Sequence, residues 1–194
     1  APVRRYRDAD ELIADQPEVD LAVIATQDGQ HVDQAVGSLR NGWHLLLEKP
    51  AATTLADCQR ILKAARQAQR QVLLCYVLRY TPFYKAVKQV LDSGKLGRLV
   101  SIEATEGVEA WHQAHSFVRG HWSRKETSSP MILAKSSHDA DLLSWLANQT
   151  CRSVSSYGSL TYFRAENAPD GATQRCTDGC PHLGKCMFDA HRYA

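Results

Sequence analysis

Between residues 19 and 92 the sequence alternates two hydrophobic periods, and that alternation restricts the fold more than any other feature. The run Val19-Asp20-Leu21-Ala22-Val23-Ile24-Ala25-Thr26 has a continuously apolar, β-branched centre, as expected of a strand buried on both faces. After the polar segment Gln27 to Gln30, residues Val32, Ala35, Val36 and Leu39 fall at i, i+3, i+4 and i+7. They form one stripe of a helix closed by Asn41-Gly42. A second strand fits Trp43 to Leu47, and Thr53 or Thr54 can cap a helix carrying Leu55, Cys58, Leu62 and Ala65 on one face. A third strand fits Val72 to Tyr76. Thr81-Pro82 then opens a helix with Val87, Val90 and Leu91 facing inward and Gly94 at its end. Strands and helices alternating over short connections imply a parallel sheet with right-handed crossovers.

The pattern changes between Gly94 and Gly97, which places a domain boundary there. Leu99 to Thr105 and Ser153 to Phe163 read as strands, and Met131 to Ala147 as a helix. The stretch before Pro130 is irregular and rich in His and Trp, and the tail from Ala165 is loop-like. At 194 residues the chain is long enough for a core without cross-links. Lys plus Arg number 23 and Asp plus Glu 21, a balance that argues against a nucleic-acid surface along the whole chain. No apolar run approaches a membrane span, no signal-peptide pattern opens the chain, and the six unevenly spaced Cys are no disulfide framework. The expectation is a soluble, cytoplasmic protein with neither nucleic acid nor membrane as partner.

In open parallel sheets, ligands bind beyond the carboxyl ends of the strands. Three such ends are Thr26-Gln27-Asp28, Glu48-Lys49-Pro50, and Tyr76 to Tyr80 with Arg79. Lys49 follows the buried run Leu45-Leu46-Leu47, which sets an ammonium at the sheet's rim; a solvated Glu-Lys pair is the plainer alternative. In Ala134-Lys135-Ser136-Ser137-His138-Asp139-Ala140-Asp141, helical spacing puts Lys135, His138 and Asp141 on one face. A neutral His beside a cation and a carboxylate that fixes its tautomer is a proton acceptor, although Ser and Asp also cap helices. His112, His115, Arg119 and Trp122 belong to a loop whose flat faces and donors suit a polyhydroxylated ligand, unless it is an ordinary exposed loop. Cys176, Cys180 and Cys186 with His182 could close a tetrahedral zinc site, but without C-x2-C spacing, free thiols are the leading expectation and no metal is assigned.

The segments VDLAVIAT, NGWHLLLEKPAATTLADC and YVLRYTPFYKAVKQVLDSGKLGRLVSIEA resemble the glucose–fructose oxidoreductase/inositol dehydrogenase (Gfo/Idh/MocA) family over essentially the whole chain. The resemblance implies an α/β fold in two parts. Residues 1–96 would be a partial dinucleotide-binding Rossmann domain with a parallel sheet. Residues 97–194 would be part of an α/β substrate and oligomerisation domain with an open, largely antiparallel sheet. It implies an NAD(P)-dependent oxidoreductase that moves a hydride between a nicotinamide cofactor, NAD or NADP, and a sugar, cyclitol or related polyol, in a homo-oligomeric full-length protein. A sugar- or dinucleotide-binding regulator on the same fold is the alternative. By the same resemblance Lys49 and His138 are catalytic, and Thr26, Gln27, His31, Glu48, Lys49 and Arg79 line the cofactor. His112, His115, Arg119, Trp122 and Asp141 are expected at the substrate.

The sequence departs from the family pattern in two places. Ala134 stands where many members carry an Asp four residues before the histidine, which makes Lys135 the candidate substitute. No G-x-G-x-x-G occurs, so the chain is expected to begin after the pyrophosphate-binding turn and to stop before the substrate domain is complete.

Overall fold

The computed structural model describes residues 3–192. Its centre is a three-stranded parallel sheet in the order β1 (Leu21–Ile24), β2 (His44–Leu47), β3 (Val72–Leu74). Leu21 pairs with His44 and Ile24 with Leu47, while Leu45 pairs with Val72 and Leu47 with Leu74. This register brings all three strands to an end on one edge. The crossovers are α2 (His31–Arg40) and α3 (Leu55–Ala68). An additional helix, α1 (Ala9–Asp15), has an N-cap Asp8 that accepts from the Glu11 amide at 2.9 Å. It approaches α2 at Gly37, where a Cβ would meet Ile13 Cδ1 at 3.0 Å, so glycine is what lets the two helices close up. Gly42, at φ +80°, makes the turn from α2 into β2.

The sheet's core is one-sided. Ile24, Leu45, Leu47, Val32, Ala35, Leu39 and Ile61 form the buried cluster between the strands and α2 and α3. On the opposite face Leu21, Val23 and Leu73 are 51%, 64% and 55% exposed. The expectation of two buried faces is therefore corrected, because among the described residues helices cover only the first. The stripe of α3 is corrected as well. Ile61 carries the contact with Cys58, Ala64, Ala65 and Ala68 packed around it, while Leu55 and Leu62 face solvent. Thr54 is the residue that caps this helix, accepting from the Asp57 amide at 3.1 Å. Such a cap contributes about 1 kcal/mol.

Past β3 a short turn, Val77–Tyr80, leads into α4 (Pro82–Asp92), capped by Thr81. Val90 of α4 is exposed rather than inward. The later half holds less regular structure: α5 (Ala110–His112) running into a wide turn over Gln113–Val118, then α6 (Met131–Ala134) and α7 (Ser137–Ala147). The expected single helix over 131–147 is broken at Lys135-Ser136. Residues 99–105 and 153–163, expected as strands of a second, antiparallel sheet, lie outside any ladder among the described residues. Strands need a partner and an apolar face to cover, and here Val100 and Val154 are 83% and 84% exposed.

Candidate active site

The carboxyl ends of β1 and β2 are tied together by a buried histidine. His31, the first residue of α2, is 1% exposed. Its Nδ1 donates to the Pro50 carbonyl at 2.8 Å, and its Nε2 lies 3.2 Å from the Thr26 carbonyl. With no surface to offer, His31 cannot line a cofactor, which corrects its assignment. Its position instead holds the turn that carries Lys49, whose peptide bond to Pro50 is cis. Thr26 and Gln27 remain exposed at the rim, with the Thr26 hydroxyl donating to Gln34 Oε1 at 2.7 Å. Glu48, half-buried, accepts from the Lys49 amide at 3.2 Å.

Lys49 reaches across the molecule. Its Nζ donates to the Ala134 carbonyl at 2.8 Å, at the end of α6 and just before α7. There it meets the Lys135 and His138 cluster. Burial, then the charges of Lys49 and Lys135, push His138 below the ordinary histidine value, against the opposing pull of Asp139 and Asp141. The imidazole is thus neutral at neutral pH, the form that can take up a proton. Tyr76, the residue after Cys75 beyond β3, packs edge-on against the His138 ring at 6.1 Å between centroids. His138 Nδ1 and Ser137 Oγ are buried without a hydrogen-bond partner.

His112 belongs to the same neighbourhood. Burial lowers its pKa first, then Lys135 and Lys49, with Glu109 acting oppositely. The group brought together is therefore Lys49, Lys135, His138 and His112, at the carboxyl edge of the sheet.

Other expected residues are engaged elsewhere. Arg79 and Asp141, assigned to cofactor and substrate, are each other's partners: Nε and Nη2 donate to the two carboxylate oxygens at 2.7 and 2.5 Å. The Asp141 side chain is 7% exposed, and the guanidinium lies 5.7 Å from the Trp145 ring centroid. The Asp141 assignment is corrected, since its nearly buried carboxylate is taken up by Arg79, whereas Arg79 commits only two of its five N–H groups and stays over a third exposed. Asp141 makes its hydrogen bonds to Arg79 and His138 Nδ1 has no partner, so Asp141 does not fix the His138 tautomer. The Trp122 indole N–H, expected at the substrate, donates to Asp28 Oδ2 at 3.1 Å, and the buried Ser129 hydroxyl donates to that same oxygen. Arg119 is exposed, donating to His115 Nε2 at 3.3 Å and reaching Cys176 Sγ at 3.8 Å. His182 Nε2 bonds the Asp170 carbonyl at 2.9 Å, and among the described residues no three His, Cys, Asp or Glu side chains gather in a way that could hold a metal. The zinc grouping of Cys176, Cys180, Cys186 and His182 is not supported, because these residues do not converge.

Sequence reasoning placed Asp28 and Tyr76 at strand ends but gave neither a role. Each sits at a strand's carboxyl end, the rule that selected Lys49, but neither has a near neighbour in sequence that betrays its partner.

A parallel sheet with crossover helices on its core face and its polar residues gathered at the carboxyl edge is the architecture of the nucleotide-binding α/β proteins. Residues 1–76 match the GFO/IDH/MocA oxidoreductase family, NAD-binding Rossmann fold, and residues 84–176 its GFO/IDH/MocA C-terminal domain. The chain belongs to the GFO/IDH/MocA family. It is 32% identical over 145 residues to a Bacillus subtilis protein named as an oxidoreductase, YteT, covering 74% of this chain and 33% of that protein. It is 29% identical over 153 residues to the inositol 2-dehydrogenase of Salmonella typhimurium, covering 78% of this chain and 42% of that protein. The chain thus spans well under half the length of these curated relatives. The fold matches that of the myo-inositol 2-dehydrogenase of Lactobacillus plantarum at a TM-score of 0.60 and 17% identity, over 74% of this chain and 41% of that one. No helix among the described residues is long and apolar enough to cross a membrane.

Proposed function

We propose that the protein carrying this chain is an NAD(P)-dependent oxidoreductase acting on a sugar, cyclitol or related polyol. Residues 1–96 would form part of its dinucleotide-binding domain and residues 97–194 part of its substrate domain. One observation carries this: Lys49 and His138, 89 positions apart, share one locus, where the lysine bonds the Ala134 carbonyl and its charge bears on the imidazole. The family match and the inositol 2-dehydrogenase relative support the substrate class.

The residues present fit a nicotinamide at this edge. Thr26 and Gln27 are exposed at the end of β1, and Lys49, just past the end of the neighbouring β2, reaches the Ala134 carbonyl close to His138 in sequence. When bound, the cofactor would supply the two-electron exchange with the substrate carbon. The chain's own side chains would handle the oxygen and its proton. His138, kept neutral by burial and by the two lysines, would take the hydroxyl proton. The Lys49 ammonium would oppose the negative charge growing on that oxygen, an arrangement set before reaction and so free of reorganisation cost. Lys135 would raise the local potential further, and His112 would bond a neighbouring hydroxyl. The reading carries with it a cytoplasmic, homo-oligomeric full-length protein.

Replacing Lys49 by Ala in the full-length protein should lower turnover on its polyol substrate by at least ~10²-fold, as for other lost charge-stabilising donors. The titration of His138 should move upward, since a cation that opposes its protonation is gone. Unchanged turnover refutes the assignment. Polyol or dinucleotide binding with no turnover across a broad substrate panel would favour a regulator instead.

A further inference from the structure

Asp28 is 5% exposed and lies in the short turn Asp28–Gln30 immediately after the β1 edge. One of its oxygens, Oδ2, accepts from two side chains about a hundred positions away: the Trp122 indole at 3.1 Å and the hydroxyl of Ser129, which is fully buried. A buried carboxylate is costly unless donors satisfy it, so these bonds are among the strong ones in the molecule. From Trp122 the contacts continue inward. Its ring lies 6.2 Å from Phe117, tilted by 43°, and Phe117 stacks on His112 at 6.1 Å with 14° between planes. Trp111 also lies against His112, at 5.5 Å between centroids and tilted by 30°. His112 is the ring that sits among Lys49, Lys135 and Glu109.

We infer that Asp28 is a positioning residue: it anchors Trp122, and through Phe117 sets the place of the His112 ring at the active site. The inference rests on the function proposed above for the identity of the ligand that His112 meets, but the linkage from Asp28 to His112 does not. Both long-range donors use one oxygen, so the side chain is needed as an acceptor, and its charge strengthens the bonds without being essential to their geometry.

The test uses the full-length protein with Asp28→Ala, Asp28→Asn and Trp122→Phe, reading KM and kcat for its polyol substrate and the His112 titration by NMR. Asp28→Ala removes the acceptor. It should raise KM about tenfold, the factor a lost charge-assisted hydrogen bond corresponds to, with a smaller change in kcat. The His112 titration should rise towards the ordinary value near ~6.5 as the ring loses its buried seat. Asp28→Asn keeps a carbonyl oxygen at the same place and should restore most of both. Trp122→Phe retains an aromatic ring but no donor and should reproduce the direction of the Ala effect, which preserves the test if Asp28→Ala fails to fold. A merely stabilising Asp28 would lower the folded fraction while leaving KM and the His112 titration where they were. That outcome, or an unmoved His112 in Trp122→Phe, overturns the inference. If the wild-type protein shows no turnover, the functional proposal fails, and the His112 titration still decides the role of Asp28.

Discussion

Among the described residues, nine of the twelve buried apolar ones lie between Ile24 and Ile61, against three, Ala114, Ala134 and Leu142, in residues 97–192. The first region holds its shape by packing: two helices close over one face of a sheet, and each strand's place follows from which side chains it buries. The second region has few buried apolar residues; α7 meets α4 and the turn 77–80, and directional polar contacts tie it further to the first. These are Lys49 on the Ala134 carbonyl, Arg79 on Asp141, and Trp122 and Ser129 on Asp28. Every one of them starts at the carboxyl edge of the sheet. The candidate active-site cluster therefore lies where a well-packed unit and a weakly packed one meet, with a handful of directional bonds crossing between them.

If the second region has no core of its own, weakening the first should weaken both. Leu39→Ala empties a fully buried position of the first core and should cost about 2–5 kcal/mol. Hydrogen exchange should show the amides of α7 losing protection together with those of β2. Wild-type protection of α7 in that variant would mean that the second region is independently stable, and the contrast would fail. Leu55→Ala, at a site 75% exposed, should stay within about 0.5 kcal/mol and serves as the control.

A smaller effect is expected from cutting one tie. Arg79→Ala leaves the buried Asp141 carboxylate unpaired and removes the cation lying over Trp145. About 2 kcal/mol is expected, below the 3–5 kcal/mol of a fully buried pair because the guanidinium is itself over a third exposed. Denaturant unfolding gives the cost, and a loss near zero would show that the tie contributes no placement.

The smallest effect is confined to the tail. Asp189 accepts from the amides of Gly184 and His191 and from the His191 ring, which hold its carboxyl at about 2. A depressed carboxylate contributes stability that is present above its unfolded value near ~3.9 and lost as pH falls through the folded one. Residues 182–192 should accordingly lose exchange protection between about pH 4 and 2. Asp189→Asn should abolish that pH dependence, and an unchanged profile would remove Asp189 from the account.

The three strands, α2, α3 and α4 were legible because hydrophobic period and capping residues act within a few positions of each other. Thr81 marks its helix in the sequence as it does in the structure, and the pair Thr53-Thr54 marks the start of α3, where the structure selects Thr54. Lys49 and His138 were legible as candidates from the strand-end rule and from resemblance. What could not be read was allegiance. Arg79 and Asp141 looked like ligand contacts because each is a charged group at a site-facing position, and nothing local shows that they neutralise one another across 62 positions. His31 was expected at the cofactor by family resemblance, and only the fold shows it sealed between two carbonyls.

The sequence by itself determined which segments become strand and helix over residues 19–92, and which strand ends carry polar chemistry, because periodicity and capping are short-range. The tertiary structure alone decided which face of the sheet is covered and which charged groups pair. It also decided that Asp28, Trp122 and His112 form one line of contact. Those outcomes depend on distances between residues far apart in the chain, and on the cost of burying a charge without a partner, neither of which a local pattern encodes.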